Sequence, residues 1–533
     1  MFSTHLSILE DSVRRAPSAV AFKIPQDASW RDITYQRFLL DIELTASHWA
    51  RVFRQDRIPE RSVIGLWIGG YDYKDVVTLY AISRAGFIPQ LFSLRLSSAD
   101  VILELLSKTG AKALIYEDLF EPALRTWPLP VYPEAEGSIG LGRSTHYDLP
   151  PLPIVEEKDI YAYFHTSGST SGSPKLVPCS YKWLGATLRK SKQICAPKLE
   201  GRLDVAVWGG SMAHIFQNFM LLGHLQHNAC TIQPIAMPFS AAQLCEMVQD
   251  CGMTRLNIFG SYLAGHLRSA RQDAALLRAL QGLDEVLYTG LPLPRDEEAW
   301  AYTQGVKLCN VFGSTEVGAL LVSVGGCGDD AGFLCHTNGV AYRFVPVAGA
   351  ADAAAHVSTA QLLELVVLPE SDDCPDASLR AADGTFRTGD LFIEVLPGRY
   401  VSQGRDDDWI KSESSLRCDT RAIEENTRLV CGGLIAECIV VGTARPSPIL
   451  FIEPGPSSTS SAIDEEKLAR EIIRRTRAFH ARRYQHERIT SPRMVQIVPR
   501  GSLPRTATKG NIRRRAVEEV YRERIDAIFA AAA

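Results

Sequence analysis

The segment Tyr163 to Lys175 reads YFHTSGSTSGSPK. An apolar, aromatic stretch runs into a loop of glycine, serine and threonine that closes on Pro174-Lys175. Gly168 and Gly172 free the backbone for positive φ, so successive N–H groups can converge on one anion. The hydroxyls of Thr166, Ser167, Ser169 and Thr170 add donors, and Lys175 adds a positive charge. The chemistry of such a set is phosphate binding. It is not a Walker loop, because no Gly-Lys-Ser/Thr follows the glycine at the required spacing. Taken alone, the segment is either a phosphate nest or a Ser/Gly loop without a ligand.

A loop of this kind needs strands to hold it. Val63 to Ile68, Ala113 to Tyr116, Val205 to Trp208, Cys230 to Ile235 and Arg255 to Phe259 read as buried strands. The pattern over Tyr73 to Ala85 predicts a helix. Strands spaced by helices imply parallel α/β layers. Leu362 to Leu368 and Leu391 to Leu396 read as short strands of a small β-rich subdomain, and Met494 to Val498 as a further strand. Ala348 to Ala355 and Pro454 to Ala462 read as loops, and Asp464 to about Arg483 as a helix.

The chain has 533 residues, which implies several packed subdomains. A hydrophobic fraction of 46% and a charged fraction of 22% argue against long disorder. The net charge of −4 exerts no overall pull toward nucleic acid or membrane. From Glu465 to Asp526 there are 17 Lys and Arg against 8 Asp and Glu, so +9 there and −13 elsewhere. That end is either a surface for phosphate-bearing partners or a solvated helix face. Twelve cysteines without a CxxC pair argue for reduced thiols and against zinc. No signal-peptide core opens the chain, and no apolar run approaches the roughly 18 residues of a membrane span. The expected address is cytoplasmic, with neither nucleic acid nor membrane as partner.

Four more segments follow the loop. They are Tyr288-Thr289-Gly290-Leu291-Pro292-Leu293, Asn310-Val311-Phe312-Gly313-Ser314-Thr315-Glu316, Phe386-Arg387-Thr388-Gly389-Asp390-Leu391 and Gly404-Arg405-Asp406-Asp407-Asp408-Trp409-Ile410-Lys411. With the loop, and in this order, they resemble the adenylate-forming superfamily of acyl-CoA synthetases, luciferases and peptide-synthetase adenylation domains. The family patterns are TSGSTGxPK, Gly-Ala-Pro-Leu, NxYGxTE, YRTGDL and GRxDDxIK. The resemblance implies an α/β fold. A large N-terminal domain over 1–403 would hold two α/β subdomains and a small β-rich one. A hinge over 404–408, with Asp407 at the pivot, would lead to a small mobile α+β domain over 409–533.

The resemblance also implies roles. Thr166, Ser167, Gly168, Ser169, Thr170, Gly172 and Lys175 would cradle the phosphates of ATP. Gly290, Asn310 and Phe312 would lie at the adenine, with Phe312 stacked on it. Thr315 would contact the α-phosphate and Glu316 would hold Mg²⁺. Asp390 would accept the ribose hydroxyls, and Arg405 would lie near ribose and phosphate. In the LPxTxxGK pattern, read here as Leu503-Pro504-Arg505-Thr506-Ala507-Thr508-Lys509-Gly510, Lys509 would bridge carboxylate and α-phosphate. On their residues alone, Asp390 could instead cap a turn after Gly389, and Glu316 could be a surface helix residue.

The chain departs from the family at three places. The phosphate loop has one extra residue, around Ser171. Lys-Gly replaces Gly-Lys at 509–510. The family glycine after Ile-Lys is Ser414 or Ser415. Ser415 to Glu424, SLRCDTRAIE, is similar to the adenylation domains of fungal adenylate-forming reductases. The carrier motif and the GxGxxG fingerprint of those reductases are not found in this sequence. The chain is therefore read as stand-alone or as an excised domain.

Substrate pockets of the family draw on the segment Ser211 to Gln217, here with His214 and Phe216. His214 either gates the pocket and orients the carboxylate, or is a packed core histidine. No acid stands between Ser211 and Gln226 to meet a substrate ammonium. With Phe259, Tyr288 and Gly290 completing the pocket, the expected substrate is an aryl or other apolar carboxylic acid. The expected function is ATP-dependent activation of that acid to an acyl-adenylate. Acyl transfer would follow to the phosphopantetheine of a carrier protein, in fungal secondary metabolism. A free-standing acyl-CoA ligase and a catalytically silent nucleotide-binding protein are the alternatives.

Overall fold

The computed structural model describes the chain outside residues 1, 28, 95, 97, 126, 135–148, 167–173, 348–360, 407–408, 412–416, 456–464, 482, 484–486, 506–510 and 531–533. The fold is mixed α/β and forms two compact units. The first comprises Met1–Thr166, Lys175–Tyr342 and Val367–Phe386; the second comprises Ser167–Pro174, Arg343–Val366 and Arg387–Ala533.

The first unit carries two sheets with helices between their strands. One sheet runs, by strand, Val131–Pro133, Ala113–Tyr116, Val63–Trp67, Ile88–Leu91, Ile160–Thr166, Lys175–Ser180. All its pairs are parallel except the last, which is an antiparallel hairpin. Every residue of Val63–Trp67 is buried, as befits a parallel strand covered on both faces. The helix Tyr73–Arg84 follows it and opens on an Asp72/Asp75 capping box.

The other sheet of this unit has a parallel core of Leu308–Ser314, Glu285–Thr289, Arg255–Phe259, Val205–Val207, Cys230–Ile232 and Val20–Gln26 in that order. Gly318–Ser323 and then Leu334–His336 pair antiparallel on one side, and Ser29–Thr34 on the other. The strand expected over Cys230 to Ile235 stops at Ile232. Gln233 still gives its backbone N–H to the Lys23 carbonyl at 2.9 Å, but Pro234 has no N–H to continue the ladder.

The second unit contains the strands Tyr342–Pro346, Leu362–Val367, Phe386–Leu396 and Arg399–Arg405 in that spatial order. The strand expected from Leu391 starts five residues earlier, at Phe386. Further along, Ile435–Val441, Ile449–Pro454 and Val495–Ile497 form a three-stranded sheet. The helices Thr420–Cys431 and Glu465–Ala481 pack on it through Ile423, Leu468 and Ile472. The loops expected at 348–355 and 454–462 fall almost wholly outside the described residues.

Candidate active site

The family segments sit at strand ends and turns. Thr166 ends its strand, Lys175 begins the next, and the two residues are cross-strand partners. The hairpin therefore closes the loop at its base. Ser167, Gly168, Ser169, Thr170 and Gly172 lie outside the described residues, as does the extra Ser171. Just before the loop, His165 stacks on Phe92 at 4.6 Å, and its Nδ1 bonds the Leu91 carbonyl at 2.9 Å. Burial holds its pKa down to about 4, so its ring is neutral at physiological pH.

Leu308–Ser314 and Gly318–Ser323 form an antiparallel hairpin whose tip is Thr315, Glu316 and Val317. Gly318 follows at φ +77°, the left-handed conformation that closes a three-residue turn. Glu316 is thus a turn residue, half-buried, and not part of a surface helix. The Ser314 hydroxyl oxygen is buried with no hydrogen-bond partner. Asn310 donates its N–H to the Ser323 hydroxyl at 2.8 Å, and Phe312 is half-buried on the same strand.

The turn is held from behind by the helix Tyr181–Ile194. Trp183 Nε1 donates to the Glu316 carbonyl at 3.0 Å. Lys190 Nζ donates to the Val317 carbonyl at 2.9 Å, the Ala319 carbonyl at 2.7 Å and Asp373 Oδ2 at 2.8 Å. Sequence reading missed both side chains. Lys190 is one of four basic residues in YKWLGATLRKSKQI, and nothing local marks its partners.

His214 caps the helix Ile215–His227, with Nδ1 accepting the Phe216 N–H at 3.3 Å. Its ring meets Phe259 edge-on at 5.0 Å, and Phe216 meets Phe259 at 5.5 Å. Gly290, at φ +88°, presses on the same ring: a Cβ there would lie 3.1 Å from Phe259 Cδ1. His214, Phe216, Phe259 and Gly290 therefore gather around one aromatic ring. Tyr288 does not join them. It packs with Ile258, Val286 and Leu293, and its hydroxyl donates to Glu298 at 3.0 Å. Its neighbour Leu287 faces the Phe216 cluster instead, because successive strand residues point to opposite faces.

In the second unit, Asp390 lies within a strand and pairs across it with Arg405. Arg405 Nη1 reaches Asp390 Oδ1 at 3.2 Å, so the two expected ribose contacts are cross-strand neighbours. Glu453 is buried and grips the base of the 503–512 segment. It accepts the Leu503 N–H at 2.9 Å and Arg505 Nη2 at 2.7 Å. Arg505 bridges Ile512 across the base. Lys509 and the expected pivot Asp407 lie outside the described residues.

Among the described residues, one acidic trio has ligand atoms within 4.8 Å of one another: Asp75, Glu117 and Glu134. It sits after parallel strands of the six-stranded sheet, far from Glu316 in sequence. Lys74 reaches Glu134 at 3.2 Å, and Glu117 takes the Gly69 N–H at 2.5 Å. Burial, and then the Glu134 charge, push the Asp75 carboxyl up to about 8.

Comparison with known proteins fits this geometry. The family model for AMP-binding enzymes matches residues 9–342, and that for the AMP-binding enzyme C-terminal domain matches 407–533. The chain is 35% identical over 517 residues to the AMP-binding domain-containing enzyme iboA of Amanita muscaria (strain Koide BX008), covering 94% of this chain and 98% of that protein. It is 25% identical over 291 residues to adenylate-forming reductase Nps10 of Heterobasidion annosum, covering 51% of this chain but only 26% of the reductase. In fold it is similar to o-succinylbenzoate CoA synthetase (MenE) of Bacillus subtilis, solved with its acyl-adenylate OSB-AMP. The TM-score is 0.73 at 14% identity, over 96% of this chain and 97% of the other. No helix among the described residues is long and apolar enough to cross a membrane. The matched domains and the full-length relative establish that the chain belongs to the AMP-binding enzyme family, the adenylate-forming enzymes.

Proposed function

We propose that the chain uses ATP to convert a carboxylic acid to an acyl-adenylate and then passes the acyl group to a thiol. In the first step a carboxylate oxygen bonds to the α-phosphorus, and the bond from that phosphorus to pyrophosphate breaks. In the second, a thiolate attacks the acyl carbon and AMP leaves. The observation that carries the reading is the hairpin tip, where Thr315 and Glu316 stand on a turn held by buried donors. Preorganised groups of this kind act where charge develops.

Mg²⁺ fits the residues at that tip. Glu316 offers a half-buried carboxylate, and Ser314 an unpartnered buried hydroxyl oxygen, both hard oxygen donors suited to the ion. When bound, it would offset the repulsion between the carboxylate and the triphosphate. Thr166, Lys175 and the loop residues Ser167, Gly168, Ser169, Thr170 and Gly172 are assigned to the phosphates. Gly290, Asn310 and Phe312 are assigned to the adenine, and Asp390 and Arg405 to the ribose. Lys509 is assigned to the developing charge at the α-phosphate. Residues 404–408, with Asp407, are assigned the hinge between the domains over 1–403 and 409–533.

The ring of Phe259, met by His214, Phe216 and Gly290, favours an aryl or other apolar acid. Likeness to the fungal reductase favours a carrier protein's phosphopantetheine as acceptor, with CoA the second choice on the fold shared with MenE. A place in fungal secondary metabolism goes with the carrier reading. ATP–pyrophosphate exchange across an acid panel, with hydroxylamine to trap the adenylate, tests the first step. Fastest exchange with α-amino acids would overturn the substrate class. Retained ATP binding without exchange for any acid would overturn catalysis. Omitting carrier or CoA in turn separates the acceptors.

A further inference from the structure

Lys190 is 1% exposed, yet all three donors of its ammonium are used. A buried lysine needs a counter-charge, and Asp373 supplies it. Asp373 in turn receives the hydroxyls of Ser371 and Tyr342. Neutralising the charge explains only one of the three bonds. The other two go to the carbonyls of Val317 and Ala319, on either side of Gly318. Two helical turns away, at i−7, Trp183 donates to the Glu316 carbonyl. Thr187, at i−3, lies between them. A Cβ on Gly318 would touch Trp183, Thr187 and Lys190 at 3.7, 3.9 and 3.9 Å. Residues 183, 187 and 190 share one helix face, and that face meets the backbone of 316–319.

We propose that Trp183 and Lys190 are positioning residues for Glu316. By fixing the peptide groups that follow Glu316, the helix sets the direction of its carboxylate toward the magnesium–triphosphate. The assignment rests on the adenylation reading of Glu316. It differs from a purely stabilising role in what it demands of the turn. Loss of the Trp183 donor weakens the Mg²⁺-dependent part of ATP binding while leaving the Mg²⁺-free part unchanged.

The test uses the full chain and Trp183→Phe, which removes the N–H and keeps most of the ring. ATP binding is measured by equilibrium dialysis across a Mg²⁺ series, alongside thermal melting. The variant should melt within about 2 °C of the unaltered chain. Its Mg²⁺-dependent gain in ATP affinity should fall about three- to tenfold, the size of one hydrogen bond. In a Glu316→Gln background the same substitution should have no further effect, since both act through one carboxylate. An unchanged Mg²⁺ dependence, or an effect that persists undiminished in Glu316→Gln, overturns the proposal. So does the absence of any Mg²⁺ effect on ATP binding by the unaltered chain. The adenylation reading is judged separately: if the unaltered chain exchanges pyrophosphate with no acid, that reading fails, while the binding data still decide the role of Trp183.

Discussion

Two segments of this protein carry groups assigned to the same chemistry, and the described residues that anchor them do so in different ways. The 315–317 turn is held through its backbone by side chains of a separate helix, with a buried lysine at the centre. Beside the 506–510 segment, among the described residues, Arg505 bridges Ile512 and both Arg505 and Leu503 bond Glu453. A turn gripped at its peptide groups presents its side chain in a direction set by the surrounding unit. Beside Lys509 the described anchor is instead an ion pair, Arg505 with the buried Glu453. The first arrangement suits an ion site that must exist before substrate arrives.

Substitutions at the anchors separate these modes. The largest effect is expected from Lys190→Met, which strands Asp373 and two carbonyls in the interior. It should lower the stability of the first unit by about 3–5 kcal/mol. Seven of the eight tryptophans lie in that unit, so intrinsic fluorescence during urea unfolding reads the loss directly. Next comes Lys509→Ala. Adenylate formation should fall about 10²–10³-fold while ATP binding and melting stay as they were, and unchanged pyrophosphate exchange would remove Lys509 from the mechanism.

Arg505→Met should cost the second unit about 2–3 kcal/mol, less than a fully buried pair because the guanidinium is 28% exposed. Hydrogen exchange in Ile435–Val441 and Val495–Ile497 should quicken, while the tryptophan transition stays in place. This anchor also has a pH signature. Burial alone would raise the Glu453 pKa, but hydrogen bonds from Arg505 and the backbone outweigh it and the net shift is downward. Its contribution is therefore present above the ordinary glutamate pKa and is lost as pH falls through the lowered value. The Met variant should lack that acid-side loss.

The last effect, of opposite sign, is expected at Asp75. Its raised carboxyl favours folding at low pH, and that contribution is lost as pH climbs toward about 8. Asp75→Asn should gain on the unaltered chain steadily as pH rises from 5 to 9, as read by melting across pH. A gap that does not grow with pH would show that the acidic trio does not titrate as described.

Much of the scaffold was legible because its strands are short apolar runs between turn residues. Ala113–Tyr116 and Arg255–Phe259 have the expected bounds. The family segments were legible from their residues and their order. Side-chain direction was harder to read. Glu285–Thr289 is buried at every position, so no polar alternation distinguished the face of Tyr288 from that of Leu287. The Asp390–Arg405 pairing needed the register of two strands separated by a turn. The anchoring helix shows an i, i+4, i+7 spacing of Trp183, Thr187 and Lys190, but carbonyl partners more than a hundred residues away leave no trace in such a pattern.

Thr166 and Lys175 are cross-strand partners, and the hairpin closes the chain of eight residues between them into a ring. For a ring of that size, one residue more than seven adds about 0.1 kcal/mol of closure entropy. The added serine is therefore almost invisible to folding, and the strands on either side keep their register. Length at this point can drift under selection for catalysis alone, and deleting Ser171 should change turnover without moving the melting temperature.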